Sequence, residues 1–362
     1  MRFAILGLAC LLAAPAATWK SVYFFDREQE SLQLFDFAMP AADCGIALGI
    51  HQDGRSQNVA LRTRDGGLTW AITKVKPEAR SLFFLDGEHG WMVAHDGIYK
   101  TSDCGGRWER VKKERNLVRV HFLSPLRGYA MGAPKVVLVT GDGGKTWDPL
   151  PAAAEPKSNP ERSVYTWAEF HPNGWGMITG SHRPDRRTPD APVWMDPEAT
   201  AATRQWPSLS LVLQTADGGI TWKSLVESVI GAIGRVRMSP NGAALVLVEF
   251  QHTLDFPSDV LSISADRQKT QRVYRRKDHA VTDILFDAKG RAYVAGYVPP
   301  GKLRDVPIPG RVRIERSDDL ASWEQLLDVD YRAVARRVML ARGADGTMWA
   351  ATDTGMILRL EE

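Results

Sequence analysis

The sequence predicts an all-β fold: a propeller of seven four-stranded blades, closed by the N-terminal strand pairing into the last blade. Three observations support this prediction, namely an octapeptide that recurs along the chain, short apolar strands between its copies, and the distance between copies. Asp65, Asp103 and Asp142 occupy the same octapeptide position and lie 38 and 39 residues apart. Because one propeller blade usually takes about 40–45 residues, each copy marks one blade.

The octapeptide has the form Thr-x-Asp-Gly-Gly-x-Thr-Trp and is predicted to form the hairpin turn between a blade's third and fourth strands. Asp can accept backbone N–H groups across such a turn, and Gly supplies the positive φ that the corner needs. The Trp then starts the next strand as a large apolar group. We therefore expect these aspartates to be structural and not catalytic. The predicted motif residues, including those of two decayed copies, are Asp65, Trp70, Asp103, Trp108, Asp142, Trp147, Asp217, Trp222, Asp266, Asp318 and Trp323.

The number of blades follows from the second strands, which begin with a small residue that an aromatic residue often follows. These starts are Gly45, Gly90, Gly128, Gly174, Ala243, Ala292 and Thr347, which gives seven blades. Residues 355–360 resemble a third strand, and residues 18–25 resemble a fourth strand. We therefore expect the N-terminal strand to complete the last blade and remove exposed sheet edges.

Residues 1–16 have the pattern of a secretory signal peptide, an apolar run followed by Ala14-Pro15-Ala16. Residues 17–362 are then one propeller domain. Cys10 also allows a lipoprotein, but Gly7 stands where the lipid-attachment signal usually has Leu, so soluble export is favoured. No later stretch reaches the about 18 apolar residues of a membrane helix. We expect an exported, soluble monomer, periplasmic or extracellular, without a membrane span.

The charge balance gives no support for nucleic-acid binding, because 46 Lys and Arg residues face 43 Asp and Glu residues. The basic runs at residues 275–277 and 336–337 are expected to be solvated strand ends, with a patch for an anionic partner as the alternative. The eight histidines show no metal-ligand spacing, and the chain lacks Cys-x-x-Cys and Gly-x-Ser-x-Gly. We expect no metal, no cofactor and no serine-hydrolase chemistry.

Two cysteines remain in the mature chain. Cys44 lies in a predicted first-to-second turn, and Cys104 lies in the octapeptide of the next blade. Both are expected on the same face of the propeller. This placement allows a disulfide between them but does not require one, because a disulfide also needs a Cα separation near 5.5 Å.

The octapeptide copies resemble the Asp-box, or bacterial neuraminidase repeat, of sialidases, sortilin-type receptors and some glycoside hydrolases. The stretch 82–108 is most similar to the photosystem II stability/assembly factor family. That resemblance implies a single seven-bladed propeller without enzymatic activity. Sialidases carry a Phe/Tyr-Arg-Ile-Pro motif near the start, whereas the nearest segment here, residues 181–184, lies mid-chain and lacks the Ile. Sialidase activity is therefore disfavoured.

Three long second-to-third connections, in blades four, five and six, are predicted to form the binding site. They comprise the long insertion at 181–207 and the connections at 249–257 and 297–307. Aromatic side chains beside Arg and Asp in proline-stiffened loops suit recognition of a protein segment or a glycan. A solvated loop cap without a partner is the plain alternative. The candidate ligand-binding residues are His182, Arg183, Asp185, Arg186, Arg187, Trp194, Trp206, Glu249, His252, Asp255, Lys302, Arg304 and Asp305.

Two functions remain open from the sequence. The first is a non-catalytic scaffold that binds or assembles proteins through these loops. The second is a glycan-binding or glycoside-hydrolysing enzyme, sialidase-like, that would use two loop carboxylates. Such a pair must lie about 5–9.5 Å apart, a tertiary distance that the sequence does not give. Its candidates are Asp185, Asp196, Glu198, Glu249, Asp255 and Asp305.

Overall fold

The computed structural model describes residues 17–182, 208–229, 231–250, 256–299, 308–326 and 332–362. It confirms the predicted seven-bladed β-propeller, because the strands form seven antiparallel sheets in which strands adjacent in the chain pair, and the first strand of the chain completes the last sheet. Within the described ranges the helical segments are two single turns of 3₁₀ helix, Pro151–Ala153 and Pro160–Arg162. No helix of these ranges is long and apolar enough to cross a membrane.

The first half of the chain builds blades one to three. The chain begins with β1 (Thr18–Phe24), which pairs into blade seven. Blade one contains β2 (Ser31–Ala38), β3 (Gly45–Gln52), β4 (Ser56–Thr63) and β5 (Ala71–Lys74). Blade two contains β6 (Ala79–Phe84), β7 (Gly90–Ala94), β8 (Gly97–Thr101) and β9 (Glu109–Lys113). Blade three contains β10 (Leu117–Phe122), β11 (Gly128–Gly132), β12 (Val136–Thr140) and β13 (Asp148–Pro149).

The second half builds blades four to seven. Blade four contains β14 (Ser163–Phe170), β15 (Gly176–His182), β16 (Ser208–Thr215) and β17 (Lys223–Val229). Blade five contains β18 (Ala232–Met238), β19 (Ala244–Glu249), β20 (Ser258–Ile263) and β21 (Thr270–Tyr274). Blade six contains β22 (Ala280–Phe286), β23 (Ala292–Val298), β24 (Gly310–Ser317) and β25 (Glu324–Gln325), and β26 (Val334–Ala335) also pairs with β24. Blade seven contains β27 (Val338–Arg342), β28 (Met348–Thr352) and β29 (Met356–Glu361).

The ring closes as predicted, because β1 pairs antiparallel with β29. Thr18 lies opposite Glu361, and Trp19 lies opposite Leu360. The Trp19 side chain is 1% exposed and packs in the core between blades six and seven. Both ends of the chain therefore contribute strands to one sheet, and the ladder leaves no unpaired edge between β29 and solvent.

The aromatic residues of the second strands form the contacts between neighbouring blades. Trp91 of blade two stacks on Phe122 of blade three, with ring centroids 3.6 Å apart. Tyr129 of blade three stacks on Phe170 of blade four at 5.1 Å. Trp349 of blade seven packs in the core shared with blade one. Large buried rings therefore join each of these blades to the next, at a burial gain of about 1.5–3 kcal/mol per side chain.

The octapeptide turns are built around their first Thr and their Asp. In blade three, the Thr140 hydroxyl donates to Asp142 Oδ1 at 2.9 Å and accepts the Gly144 N–H at 2.9 Å. Asp142 Oδ1 also accepts the N–H groups of Lys145 and Thr146, at 3.0 and 2.9 Å. The carboxylate therefore satisfies turn donors that have no partner in a strand. Comparable bonds surround Asp65, Asp103, Asp217 and, in part, Asp266.

Blade six departs from the sequence prediction by one residue. The predicted motif residue was Asp318, but Asp319 accepts the Ser317 hydroxyl at 3.2 Å and the N–H of Ser322 at 2.8 Å. The corner residue Leu320 has φ 62°, the conformation that Gly takes in the intact copies. The segment between the aspartate and the Trp is one residue shorter in this turn than in the intact copies. Asp319, two positions after Ser317, therefore takes the structural role.

The octapeptide turns and the first-to-second turns lie on one face, called here the octapeptide face. In four blades an octapeptide N–H donates to a carbonyl of the first-to-second turn; the pairs are Gly66 with Asp43, Cys104 with Gly87, Gly143 with Leu126, and Gly218 with Gly174. The second-to-third connections lie on the opposite face, called here the loop face. The three predicted binding loops therefore leave the propeller on the loop face.

A disulfide joins Cys44 and Cys104 on the octapeptide face, with a Cα separation of 6.4 Å. It links the first-to-second turn of blade one to the octapeptide turn of blade two. Cys104 has φ 55°, in the position where Gly66 has φ 68°. The second octapeptide thus has a cysteine where the turn favours glycine, and the cysteine ties two blades together.

Candidate functional site

The first strands of the blades line a central channel, and a recurring backbone feature places polar side chains there. In blades one to six the pairing of first and second strands shifts by one residue at the same point. Such a β-bulge re-aims the side chain that follows it. The residues directly after the shifts are Asp36, Ser81, Arg119, Trp167, Arg235 and Asp283.

A cavity of about 470 Å³ occupies the channel and is lined by the first strands of all seven blades. It extends to the octapeptide face, where Met39 and Ala344 of the first-to-second turns line it. Its charged lining residues are Asp36, Arg119, Glu169, Arg235, Arg237, Asp283 and Arg342. The channel is therefore a polar cavity in a molecule whose blade contacts are apolar.

Trp167 is the centre of the charged cluster. The guanidinium carbons of Arg119, Arg235 and Arg237 lie 4.1, 4.2 and 4.7 Å from its ring centroid. Its indole N–H donates to the Val236 carbonyl at 2.8 Å, which fixes the ring plane. Cation–π attraction at desolvated sites contributes about 2 kcal/mol, so the ring helps to hold three positive charges together.

Each arginine of the cluster is paired with a carboxylate from another blade. Arg119 lies 3.3 Å from Asp36, Arg235 lies 3.6 Å from Asp283, and Arg237 lies 3.5 Å from Glu169. The two aspartates also accept backbone N–H groups of the next blade: Leu82 donates to Asp36 at 2.8 Å, and Leu340 donates to Asp283 at 2.9 Å. The carboxylates therefore join blades as well as balancing charge. The Nε atoms of Arg235 and Arg237 are buried without a hydrogen-bond partner.

Burial controls the electrostatics of the channel. Desolvation lowers the pKa of Arg119, and it lowers the pKa of Arg235 to about 9. Arg337 contributes a further positive charge that acts on both groups. Desolvation also raises the pKa of the Glu169 carboxyl against the opposing effect of Arg237. Both arginines remain protonated at neutral pH. The cavity lining therefore carries four guanidinium groups and three carboxyl groups, namely those of Arg119, Arg235, Arg237 and Arg342 and those of Asp36, Glu169 and Asp283.

His121 lies in the channel wall between aromatic rings. Its ring centroid is 4.5 Å from that of Phe83 and 5.3 Å from that of Phe170. Burial and the nearby charges of Arg119 and Arg237 lower its pKa to about 3. It is therefore a neutral packing residue at physiological pH.

Two of the predicted ligand-binding residues lie in the described structure, both at loop-face ends of second strands. His182 ends β15; it is 9% exposed, and its Nδ1 lies 3.1 Å from the Ser163 hydroxyl. Glu249 ends β19 and is exposed. Its carboxyl lies over Gly234, where a Cβ would be 2.9 Å from Glu249 Cδ. Since Gly234 directly precedes Arg235, Glu249 lies at the loop-face end of β18, whereas the cavity itself extends to the octapeptide face.

The other predicted ligand-binding residues lie outside the described ranges, as do most of the predicted insertion and residues 1–16. They are Arg183, Asp185, Arg186, Arg187, Trp194, Trp206, His252, Asp255, Lys302, Arg304 and Asp305. Of the six carboxylates considered for a hydrolase, the structure describes Glu249. Within the described ranges no group of three or more His, Cys, Asp and Glu side chains is placed to hold a metal ion.

The basic run at residues 275–277 is engaged in ion pairs. Arg275 forms a bidentate contact with Asp259, and Arg276 lies 3.3 Å from the buried Glu315. Arg313 joins the same network at 2.6 Å from Glu315. These arginines link the strands of blades five and six, which differs from the solvated strand end that the sequence predicted.

Sequence reasoning did not select the channel cluster. A signal was available, because Arg119, Glu169, Arg235 and Asp283 are charged residues inside otherwise apolar first strands. Once a propeller is predicted, the first strand of each blade is the one that borders the axis. A charge in the middle of that strand therefore indicates a polar channel.

The sequence and the fold of this chain are similar to those of known propeller proteins. No protein-family model matches the chain. The chain is 21% identical over 264 residues to the photosystem II assembly protein Ycf48 of Thermosynechococcus vestitus, covering 69% of this chain and 71% of that protein. It is 21% identical over 302 residues to the photosystem II assembly lipoprotein Ycf48 of a Synechococcus species, covering 80% and 74%. A solved structure of Ycf48 bound to a D1 peptide superposes with a TM-score of 0.61 at 14% identity, covering 97% of this chain and 98% of that one.

Fold and channel together define the class of protein, a single seven-bladed β-propeller closed by its N-terminal strand. Its sequence and fold are similar to those of photosystem II assembly propellers.

Proposed function

We propose that this chain is an exported, non-catalytic scaffold that binds a segment of a partner protein with the loops of blades four to six. The observation that carries the proposal is the similarity, along most of the chain, to assembly propellers, one of them solved with a bound peptide. The placement of the loops adds support. They leave the propeller after His182, Glu249 and Val298, at the ends of second strands in three consecutive blades.

The channel supports a protein partner with acidic character. Glu249 lies over Gly234, next to Arg235, so a partner segment that reached past the loop-face end of β18 would meet the guanidinium groups around Trp167. Guanidinium forks pair with carboxylates in two parallel hydrogen bonds. We expect an acidic side chain or a terminal carboxylate of the partner to lie at this arginine cluster.

A capture experiment tests the proposal. The mature protein, residues 17–362, and a variant lacking residues 183–205 are immobilised and exposed to extract of the native cell envelope. We expect the intact protein to retain a specific protein and the deletion variant to retain at least tenfold less. Equal retention by the two proteins would overturn the proposal. A retained glycan would favour the glycan-binding or hydrolytic alternative, with a glycoside cleavage panel as the next step.

Charge reversal supplies a matched control that keeps the loops. Glu249→Arg reverses a charge at the loop-face end of β19, and Glu227→Arg makes the same change on the exposed outer strand of blade four. We expect Glu249→Arg to alter retention of the partner and Glu227→Arg to leave it unchanged. Circular dichroism and the thermal midpoint of each variant report whether the propeller remains folded.

Export is part of the same proposal. Residues 1–16 read as a signal peptide, and mass spectrometry of the protein from the envelope fraction would show a chain that begins at Ala17. A full-length chain retained in the cytoplasm would contradict export. A lipid on Cys10 would establish anchoring instead, as in the relative that is named a lipoprotein. We also expect the exported protein to be monomeric, which size-exclusion chromatography with light scattering would check.

A further inference from the structure

A second polar groove lies on the outer rim of the propeller, between blades one and two, away from the channel. It has a volume of about 580 Å³ and includes residues of the second octapeptide turn. The side chains that matter for its chemistry are Arg62, Arg64, Thr69, Trp70, Asp103 and Arg107. Neither the repeat nor the proposed binding loops account for the concentration of arginines there.

Two of the arginines converge on one point. Arg62 lies in β4, and Arg64 follows that strand in the octapeptide turn. The Nη2 atom of each donates to the backbone carbonyl of Asp103, and Arg62 Nε donates to the Cys104 carbonyl at 3.2 Å. The two guanidinium groups therefore share a single acceptor, and both line the groove.

The positive charge of this cluster is poorly balanced. In the part of the chain that the structure describes, no carboxylate lies within 4.0 Å of the guanidinium groups of Arg62, Arg64 or Arg107. Asp103 lines the groove, but its Oδ1 accepts the Thr101 hydroxyl and the Arg107 N–H, both at 2.9 Å. Burial and the Arg64 charge lower the pKa of Arg62, and the charge of Asp103 opposes this shift. Three cations therefore share the groove with one carboxylate that the turn already uses.

The turn that carries this groove is held in place by a covalent bond. Cys104, next to Asp103, is joined to Cys44 and is 1% exposed. Trp70 forms part of the opposite wall and is fixed by its indole N–H, which donates to the Gly67 carbonyl at 3.2 Å. The carbonyls that orient Arg62 and Arg64 thus belong to a tethered turn, and the site is arranged before any ligand binds.

We propose that this groove binds a tetrahedral dianion, a phosphate or sulfate group, through Arg62, Arg64 and Arg107. Planar guanidinium groups match the oxygens of such a group in paired hydrogen bonds. The surplus of positive charge suits a ligand with two negative charges better than a single carboxylate. The Thr69 hydroxyl lines the same groove and can donate to a further oxygen. The site lies apart from the channel, so it stands independently of the proposed protein-binding function.

Titration calorimetry with sulfate, inorganic phosphate, glycerol phosphate and acetate at constant ionic strength tests this site. We expect sulfate and both phosphates to bind saturably and at least tenfold more tightly than acetate. Tighter binding of glycerol phosphate than of inorganic phosphate would indicate an ester as the natural source, and the reverse would indicate the free ion. Affinity for glycerol phosphate should rise from pH 5 to pH 7, as its second proton leaves near pH 6, whereas affinity for sulfate should stay constant.

Matched double variants separate a built site from general surface charge. Arg64→Ser/Arg107→Ser removes two exposed arginines of the groove, and Arg55→Ser/Arg115→Ser removes two exposed arginines elsewhere. We expect the first variant to lose at least tenfold in sulfate affinity and the second to keep wild-type affinity. Equal losses in the two variants, no saturable heat in the wild type, or acetate binding as tightly as sulfate would overturn the proposal.

Discussion

Single side chains in the channel act between blades, and Asp283 shows this most clearly. Its carboxylate is 4% exposed, lies 3.6 Å from Arg235, and accepts the Leu340 N–H of the next blade at 2.9 Å. Removing it would leave a buried cation and a buried backbone donor without their partner. Losses of this kind are large because the remaining groups stay desolvated.

We predict that Asp283→Ala lowers the free energy of unfolding by about 3–5 kcal/mol, measured by urea denaturation. Asp318→Ala is the control, because Asp318 is exposed and Asp319 makes the bonds of the blade-six turn. The control should change the free energy by less than about 0.5 kcal/mol. A loss below about 1 kcal/mol for Asp283→Ala would show that the channel pair contributes little to blade packing.

The charge of Asp65 makes the free energy of unfolding depend on pH. Hydrogen bonds from Thr69 and Thr63 lower its pKa from 3.8 to about 2 in the folded protein. A carboxyl with a lowered folded pKa stabilises the native state above its unfolded pKa, and the effect disappears as the pH falls toward the folded value. The contribution of this charge is therefore complete above about pH 4 and is lost between pH 4 and pH 2.

We predict that wild type and Asp65→Asn differ by a constant free energy of unfolding from pH 7 to about pH 4. The asparagine keeps one acceptor oxygen but replaces the other acceptor with an amide donor, so the constant difference above pH 4 includes a lost hydrogen bond, and its change below pH 4 reports the charge. Below pH 4 the two denaturation curves should converge, because the wild-type aspartate becomes protonated. Curves that stay equally far apart down to pH 2 would show that the turn does not depend on the charge of Asp65.

At the scale of elements, the disulfide between the turns of blades one and two is a tether between neighbouring sheets. It closes a loop with a sequence separation of 60 residues. Cross-links of that length stabilise proteins by about 2–4 kcal/mol, chiefly by restricting the unfolded chain. The cysteine in the second octapeptide occupies a left-handed position that glycine adopts more readily, which offsets part of this gain.

We predict that Cys44→Ala/Cys104→Ala lowers the free energy of unfolding by about 2–4 kcal/mol, measured by guanidinium denaturation without reductant. Cys44→Ala/Cys104→Gly should recover about 0.5–1 kcal/mol of that loss, because glycine restores the residue that other octapeptides have at this corner. If the alanine and glycine variants were equally stable, the left-handed corner would carry no cost for the cysteine.

Elements were predictable from the sequence where repetition made them visible. The octapeptide copies and the small residues that open second strands identified seven blades, and the strand beginning at Thr18 closes the ring. The blade-six turn was predicted one residue out of register, because either Asp318 or Asp319 can be aligned with the aspartate of the octapeptide. The positive φ of Leu320 shows that Asp319 holds that position. That angle depends on the fit of the whole turn and not on residue type.

At the scale of the whole molecule, the channel was harder to predict than the blades. Arg119, Trp167 and Arg235 are far apart in the sequence, and closure of the ring brings them together around the axis. Loop length and composition favoured the loop face instead, where Glu249 lies at the end of β19 over Gly234. The predicted loops and the channel cluster belong to the same blades, because the first strands of blades four, five and six supply Trp167, Arg235 and Asp283.

Hydrogen–deuterium exchange of the mature protein, with and without the captured partner, would show whether a partner protein binds at the loop face. We expect slower exchange in the second-to-third connections of blades four to six and in β18, with the octapeptide turns unchanged. Protection confined to the octapeptide face, with unchanged exchange at the loop face, would contradict binding at the loop face.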